Sequence, residues 1–585
     1  MQTPETETAP DALIRPPAEA PAMPPPERWR PADERPDPDD EELFPRLPEP
    51  LLEDVARQAV CREFAAGEVL FQQGEPEAPF FVVESGRVVF FDRNRSDGPG
   101  VYFAESGAGT FVGDTANFTG EPTVIECRAI EPTRVLELTG EQLRTLVANH
   151  ADAGDLILRT LMARRAWGEG HGYGQLQVIG PMSRPETLRL REFLGRNQVP
   201  FNCRDTEEDA ATAGLLRRLG VREEQTPLLL AAGRIHRNPS IADVARGLGL
   251  CPDLDDEPYD ITVVGGGPGG LAAAVYAASE GLRTLLLEAS APGGQAGTSS
   301  KIENYLGFTT GISGAELTRQ AVLQARKFGV TISTPTAVNR IDCTGDVKTL
   351  RLDDGRSVRA RVVVLATGAE YRRLGARGCD RLEGMGVYYA AGHLEAEHVR
   401  GKRVMVVGGG NSAGQAAVFL SQRCEHVDLV IRRESLEETM SQYLISRIEA
   451  EENIDLLARA EVEALEGPEG ELEAAEIRTP EGRRRVPCSA VFCMIGAEPR
   501  TGWLRGCCAL DDRGFVLTGP EAKASPHFAG HWPLDRDPFL LETTRPGVLA
   551  VGDVRAGSVK RVAAAVGEGS MVVTFVHQIL GAQAV

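Results

Sequence analysis

The sequence predicts a multidomain α/β chain: a small β-rich unit, a second unit that alternates strand and helix, and two Rossmann-like α/β units at the carboxy-terminal end. Three observations predict it. Two glycine-rich turns, Gly265-Gly266-Gly267-Pro268-Gly269-Gly270 and Gly408-Gly409-Gly410-Asn411-Ser412-Ala413, each follow an apolar strand and open a helix rich in small residues. Short strand patterns punctuated by glycine fill residues 43–165, and residues 175–250 alternate strand and helix patterns. With 585 residues, 42% of them hydrophobic, the chain can fill roughly three or four cores.

Residues 1–42 come first. They are rich in proline and acid, as in Pro21-Ala22-Met23-Pro24-Pro25-Pro26 and Asp37-Pro38-Asp39-Asp40, and lack periodicity, so an unstructured tail is expected. A net charge of −22 opposes binding to nucleic acid or an anionic membrane surface and favours solubility. The uncharged run from Ile261 to Ser279 approaches the length of a membrane span, but the turn from Gly265 to Gly270 breaks it.

In residues 43–165, Phe64 to Glu75 and Phe80 to Val89 read as strands separated by glycine turns, and Gly109-Thr110-Phe111-Val112-Gly113-Asp114-Thr115-Ala116 follows. This stretch resembles a cyclic-nucleotide-binding domain, a β-roll followed by helices. The resemblance places Gly113, Asp114 and Thr115 in a phosphate-binding cassette. A cyclic phosphate calls for backbone amides at a helix start and usually an arginine, while a carboxylate holds the ribose hydroxyl. Asp114 offers that carboxylate one methylene short. Thr123 falls near the place of the family's arginine, and Arg128 is a misplaced substitute. Weak nucleotide binding, and a degenerate domain used for docking or dimer contacts, are both open readings.

Residues 175–250 read as strand Leu176-Gln177-Val178-Ile179, helix Glu186 to Asn197, strand Val199-Pro200-Phe201 and helix Asp209 to Leu219. They resemble a glutaredoxin or thioredoxin-like domain, with Thr226-Pro227 at the place where that fold carries a cis-proline. The loop from Pro181 to Glu186 holds no cysteine, and Cys203 lies on or after the next strand, so a redox relay is not expected. A scaffold that presents or shields its neighbour, or a plain βαβ domain, remains. The acidic linker from Pro252 to Pro258 closes this unit.

The two glycine turns carry the chemistry. The first glycine permits a tight turn, the second lets backbone N–H groups approach a pyrophosphate, and the last small residue lets helix pack on strand. Asp260-Ile261-Thr262-Val263-Val264 precedes the first turn and Lys402-Arg403-Val404-Met405-Val406-Val407 the second. Glu288 ends Leu285-Leu286-Leu287, 18 residues past Gly270, where a carboxylate accepts hydrogen bonds from an adenosine ribose and favours FAD or NAD. After the second turn, Val427-Asp428-Leu429-Val430-Ile431 runs into Arg432-Arg433, whose forked donors suit the 2′-phosphate of NADPH. Glu437 stands nearby as a repelling charge.

Between and beyond these turns the chain resembles the low-molecular-weight thioredoxin reductases over most of residues 257–585. Pro292-Gly293-Gly294-Gln295 and Ile302-Glu303-Asn304-Tyr305 are similar to that family's flavin-contacting loop, which implies cofactor contacts from Gly294, Gln295 and Asn304. Ala366-Thr367-Gly368 resembles the strand end of the first FAD segment. Ile495-Gly496-Ala497-Glu498-Pro499 resembles the return from the NADPH domain, and Gly547 to Val554 the motif whose Gly552 and Asp553 bind FAD; Arg561 joins this set. The resemblance implies an FAD domain at 257–371 and 496–585, an NADPH domain inserted at 372–495, hinges near Ala369-Glu370-Tyr371 and Arg500-Thr501-Gly502, and a homodimer.

That family passes electrons from flavin through a Cys-x-x-Cys at the start of the insertion. Here the segment reads Gly386-Val387-Tyr388-Tyr389-Ala390-Ala391-Gly392-His393-Leu394-Glu395, with Ala390 and His393 where the cysteines would fall. Neither side chain can perform thiol–disulfide exchange. His393 is a candidate proton donor or a packing residue. The eleven cysteines include no Cys-x-x-Cys and one adjacent pair, Cys507-Cys508, in which a vicinal disulfide is disfavoured. Cys343, Cys424, Cys488 and Cys493 lie in or beside apolar elements as small hydrophobes. With no secretory signal, disulfide framework or zinc-type spacing, a reducing cytoplasm and no metal are expected. The resulting expectation is a flavoprotein oxidoreductase that takes hydride from NADPH and serves an unidentified acceptor. Reduction of a ferredoxin, flavodoxin or quinone is an alternative, as is a non-enzymatic cyclic-nucleotide and redox sensor.

Overall fold

The computed structural model describes residues 23–583 except 39, 95–99, 114–116, 118–121, 209–211, 213–215, 217–220, 232–233, 300, 303–304, 383–385, 390, 392 and 469–470. It divides into two compact units. Met1–Asp256, Leu287–Ala291 and Val322–Ala337 form the first, and Glu257–Leu286, Pro292–Ala321 and Val338–Val585 the second.

In the first unit, runs of β-branched and aromatic residues such as Phe80-Phe81-Val82-Val83 pair into two antiparallel four-stranded sheets. One is ordered Val60–Phe64, Thr133–Leu138, Phe80–Ser85, Phe111–Val112; the other Val69–Phe71, Glu126–Ala129, Arg87–Phe91, Ala104–Gly107. Phe81, Val83, Val88, Val112 and Val135 fill the space between them. Helix Gly140–Asn149 then begins at a capping box: Thr139 Oγ1 accepts from Gln142 N at 3.2 Å, and Thr139 N donates to Gln142 Oε1 at 2.8 Å.

The expectation of an unstructured tail to residue 42 does not fit the residues from 23 onward. Arg30–Pro31 pairs in parallel with Val101–Tyr102, and Trp29 packs edge-on against Phe91 while its Nε1 donates to Pro24 O at 2.8 Å. One anchored tryptophan and one strand pairing of two residues overcome the segment's polar composition.

The alternating segment forms a four-stranded sheet ordered Phe201–Asp205, Leu176–Gly180, Leu228–Ala231, Arg234–Arg237, the first pair parallel and the others antiparallel. Helix Pro185–Arg196 follows its first strand, and the Thr226-Pro227 peptide is cis. The strand placed by sequence at 199–201 runs instead over Phe201–Asp205, because Pro200 withholds the N–H that the ladder needs. The helix expected over 209–219 falls mostly outside the described residues. Asn197 Nδ2 donates to Ser290 O at 3.2 Å and Thr334 N to Leu250 O at 2.8 Å, which explains why 287–291 and 322–337, assigned by sequence to the FAD segment, group with the first unit.

In the second unit, Tyr259–Val264 and Val548–Ala550 flank Ser357–Leu365 in parallel, and Val338–Asp342, Lys348–Leu352 and Ser357–Leu365 continue as an antiparallel meander. The last strand of this sheet therefore arrives only after a long insertion. That insertion carries a five-stranded parallel sheet ordered Val387–Tyr388, Ala490–Cys493, Arg403–Val407, His426–Val430, Ile454–Leu457. Beside it stands the antiparallel sheet Glu461–Glu466, Ala474–Thr479, Gly482–Pro487. The two chain crossings meet as an antiparallel ladder, Ala369–Tyr371 against Ala497–Pro499, so the return crossing lies three residues ahead of the hinge expected at 500–502.

Helix Val562–Gln583 is long and apolar enough by composition to cross a membrane, yet it packs along Pro268–Ser279, where Val572, Val573 and Val576 are buried. Near the carboxy-terminal strand, the fully buried Glu542 accepts from Arg536 Nη1 and Nη2 at 2.7 and 3.0 Å, from Phe539 N at 3.0 Å and from Gly547 N at 2.9 Å. Glu542→Ala strands a guanidinium and two amides and is expected to destabilise the second unit by about 3–5 kcal/mol, whereas Glu521→Ala on the exposed surface changes it little. Differential scanning calorimetry checks this, and equal transitions for the two variants contradict it.

Candidate functional site

The first glycine turn sits where Tyr259–Val264 ends, and its shape is imposed by backbone. Gly265 has φ +110°, and a Cβ there would collide with Ala366 O. Gly270 is pressed on Gly265 O, so helix Pro268–Ser279 leaves the turn at close range. Gly267, its N-cap, has φ −71° and ψ 179°, and a Cβ there would meet nothing within 4 Å. This open position above a helix start is the cradle a pyrophosphate requires. Pro268 at the helix start lacks the N–H that would be unsatisfied there.

The loop that resembles a flavin contact lies on this turn. Gly293 N donates to Gly266 O at 2.7 Å, and a Cβ on Gly294 would stand 3.2 Å from Gly267 Cα. Gln295 Nε2 donates to Ala369 O, tying the loop to the first hinge strand. Asn304 lies outside the described residues. At the end of the next strand, Ala366 N donates to Val264 O at 2.8 Å, Gly368 follows with φ +63°, and the buried Thr367 Oγ1 has no hydrogen-bond partner. Glu288 follows Thr284–Leu287, and its Oε1 accepts from Ser290 N at 2.9 Å.

Gly552 and Asp553 form a short 3-10 turn after Val548–Ala550. Burial pushes the Asp553 carboxyl above its ordinary range, against the Lys560 ammonium, which draws it down, while Glu568 adds to the rise. Lys560 Nζ donates to Asp553 O and to Ser558 Oγ, and lies 4.3 Å from the Phe515 ring centroid. Glu568 holds the turn: its Oε2 accepts from Gly552 N at 2.7 Å and its Oε1 from Arg555. Sequence reading missed Glu568 and Lys560, since only the fold brings a residue 16 positions along the chain back onto Gly552. Arg561 is exposed immediately before helix Val562–Gln583.

The second glycine turn repeats the geometry in the inserted sheet. Gly408 has φ +143° and is pressed on Met494 O, while Gly410, N-cap of helix Asn411–Ser421, faces open space with nothing within 4 Å of a Cβ. Ala413 is fully buried at the helix–strand contact, and Ser412 is exposed. Asn411 Oδ1 accepts from Ser441 N and Oγ at 2.7 and 2.9 Å, so this side chain fixes the neighbouring loop. Beyond His426–Val430, Arg432 is exposed without a hydrogen bond or ion pair among the described residues, whereas Arg433 pairs with Glu438. The orphaned Thr367, the two open N-cap positions and the free Arg432 fit a flavin dinucleotide at the first turn and a phosphorylated dinucleotide at the second.

The segment from Tyr388 to Glu395 is partly described. Ala390 and Gly392 lie outside the described residues, and His393 begins helix His393–His398. Tyr389, next to Ala390, places its hydroxyl 3.6 Å from Cys379 Sγ, and burial drives its ionisation well above the ordinary range. The cysteines correct the sequence reading at one point. Cys343 and Cys507 are joined as a disulfide, with Cα atoms 6.8 Å apart, and the other nine cysteines keep their thiols. Their separation of 164 residues hid the pairing, because only the sheet brings the strand end beside residue 507.

In the β-roll, Asp114 and Thr115 lie outside the described residues. Gly113 is packed against Asn117 and Phe80, and its carbonyl accepts from Arg164 Nη1 at 3.4 Å. Thr123 is buried, its hydroxyl donating to Gln72 O at 2.5 Å. Arg128 is committed to Glu126 and to Gly67 O, so the substitute cation considered from sequence is spent within the roll.

Residues 259–569 match the pyridine nucleotide-disulphide oxidoreductase family, and residues 61–150 match the cyclic nucleotide-binding domain. The thioredoxin reductase of Listeria monocytogenes is 30% identical over 319 residues, covering 54% of this chain and 92% of that protein. That of Mycolicibacterium smegmatis is 36% identical over 260 residues, covering 44% and 82%. The crystal structure of T. acidophilum thioredoxin reductase is 27% identical with a TM-score of 0.49, covering 55% of this chain and 99% of that one.

The open N-cap positions give a clean test. Gly267→Val and Gly410→Val place a side chain only where the pyrophosphates would lie, so both variants should fold with native circular dichroism. Gly267→Val should then lose bound flavin, and Gly410→Val should keep flavin but lose its reduction by NADPH. Absorbance at the flavin band and stopped-flow mixing with NADPH check both; full retention of either function contradicts the assigned cradle.

Proposed function

This chain belongs to the pyridine nucleotide-disulphide oxidoreductase family, and from that membership we propose that it oxidises NADPH through FAD and delivers the electrons to an acceptor without a dithiol beside the flavin. The family uses FAD and NADPH. The observation that carries the reading is the pair of open glycine cradles on two sheets joined by the Ala369–Tyr371 and Ala497–Pro499 ladder, in a chain with Ala390 and His393 where the family's cysteines would stand.

FAD supplies the hydride acceptance and the onward electron transfer when bound. The protein binds and orients. Amides around Gly267 and the Gly552 turn take the FAD phosphates and ribityl chain, and Glu568 keeps Gly552 in place. Glu288 accepts from the adenosine ribose, Thr367 lies beside the flavin, and Asn304 is the flavin-contacting residue that the resemblance implies. Amides at Gly410 take the NADPH pyrophosphate, and Arg432 takes its 2′-phosphate; Arg433 contributes after release from Glu438. The two-stranded ladder is the hinge on which the inserted domain turns to bring nicotinamide to flavin. His393 delivers a proton beside the reduced flavin.

The four-stranded unit with cis Pro227 is thioredoxin-like and acts as a scaffold, since Met182, Ser183 and Arg184 occupy its first loop in place of a dithiol. The β-roll binds cyclic nucleotide weakly at most, because Thr123 and Arg128 are committed to backbone and to Glu126. Nine cysteines that keep their thiols fit a reducing compartment such as the cytoplasm, and a homodimer is the expected assembly.

Arg432→Ala should lower kcat/KM for NADPH about tenfold, through loss of a charge-assisted contact, and leave NADH unchanged. Equal effects on the two nucleotides would remove the 2′-phosphate assignment. Serine at any of these nine cysteines should leave flavin bleaching and turnover with ferredoxin-, flavodoxin-, quinone- and disulfide-type acceptors near the native rates, which a screen of those acceptors measures. His393→Ala should slow acceptor reduction with bleaching intact; unchanged turnover returns His393 to packing. Calorimetric titration with cyclic AMP and cyclic GMP should show weak or no binding, and tight binding surviving Asp114→Ala would contradict the cassette.

A further inference from the structure

Cys343 directly follows strand Val338–Asp342 in the first FAD segment, and Cys507 stands eight residues beyond Pro499, the last residue of the returning hinge strand. The two cysteines therefore lie on opposite sides of the inserted domain in sequence and are joined within the FAD domain in space. Besides the disulfide, the chain between Pro499 and Cys507 is held by named contacts: Thr501 Oγ1 donates to Gly514 O at 2.5 Å, Trp503 Nε1 to Arg500 O at 3.0 Å, and Arg545 Nε and Nη2 to Cys507 O and Gly506 O at 2.9 and 3.5 Å, while Leu504 is fully buried. The disulfide closes this stretch covalently onto the meander. Cys343 is half-buried and reachable from solvent, while Cys507 and Cys508 are buried. Cys508 Sγ lies 3.7 Å from Cys507 Sγ and 3.5 Å from Thr543 Oγ1.

We propose that Cys343 and Cys507 form a thiol–disulfide exchange site, entered at Cys343 by a small thiol, whose state sets how firmly the return strand of the hinge is anchored to the FAD domain. This rests on the two-nucleotide reading above only for its consequence for domain motion. In the first step the small thiolate attacks Cys343 Sγ; a bond between the two sulfurs forms, the Cys343–Cys507 bond breaks, and Cys507 leaves as a thiolate that takes up a proton. A second small thiolate attacks the small-thiol sulfur of the mixed disulfide, releasing Cys343 as a thiol and a small disulfide. Two small thiols are oxidised by two electrons in total, and the protein disulfide is reduced by the same two. Burial pushes the neighbouring Cys508 thiol up to about 11, so at neutral pH it stays protonated and leaves Cys507 to Cys343. With the cross-link open, residues 500–508 depend on the remaining contacts, and the hinge gains freedom at its returning end.

The test uses full-length, flavin-loaded protein. The purified protein is incubated with glutathione disulfide and freed of it, remaining thiols are alkylated, and mass spectrometry of the digest should find the Cys343 and Cys507 peptides linked. Reduced glutathione should open that link at neutral pH. Hydrogen exchange of residues 497–508 should then rise several-fold, with residues 259–264 unchanged. Cys508→Ser should behave as the native protein, and Cys343→Ser, with its flavin content verifying the fold, should show the fast exchange without added thiol. Absence of the linked peptide overturns the proposal, and so does opening of the link with unchanged exchange over 497–508. Neither readout involves electron transfer, so failure here is distinct from failure of the flavoprotein reading, which appears as flavin that NADPH does not bleach.

Discussion

The structure of the second unit depends on one constraint: backbone must approach backbone where a strand turns into a helix. Gly265 against Ala366 O and Gly408 against Met494 O are the same contact made twice, each at a positive φ that only glycine holds without strain. Closing that contact draws the helix start over the sheet edge and leaves its N-terminal amides facing open space at Gly267 and Gly410. A side chain at Gly265 or Gly408 would push the helix away and remove the cradle together with the turn. The binding geometry and the fold are therefore set by the same atoms.

The remaining architecture holds these two turns on separate sheets of the second unit. The sheet that carries the first turn is completed only by Val548–Ala550, after the insertion, so the chain must cross twice, and the crossings pair as a three-residue ladder. Anchors gather around the first sheet. Gln295 bonds its loop to Ala369, Glu568 fixes Gly552, and Glu542 gathers Arg536, Phe539 and Gly547 around the last strand. The short ladder joins the two sheets, and Cys507 of the Cys343–Cys507 link lies eight residues beyond its returning strand.

Local patterns were legible in the sequence, and contacts distant along the chain were not. Both glycine turns and their strands were readable because each is encoded within a few residues, whereas the β-roll and the cis Thr226-Pro227 peptide were implied by resemblance to known folds. Glu568 and Lys560 escaped notice, since nothing about a glutamate within a helix or a lone lysine marks what it will face after folding. Cys343 and Cys507 escaped for the same reason, being apolar-looking residues 164 positions apart. Proline-rich composition suggested a tail up to residue 42, but Trp29 supplied an aromatic anchor that composition averages conceal. The pairing of Arg433 with Glu438 likewise depends on a loop conformation that charge order alone does not give.

The absence of a dithiol beside the flavin is the central claim, and an anaerobic reductive titration measures it directly by counting electrons. A flavin that communicates with no nearby disulfide should bleach completely after about one two-electron equivalent of dithionite per flavin, without a long-wavelength thiolate–flavin charge-transfer band. Complete bleaching only after about two equivalents, with such a band at the midpoint, would show a coupled disulfide and contradict this account.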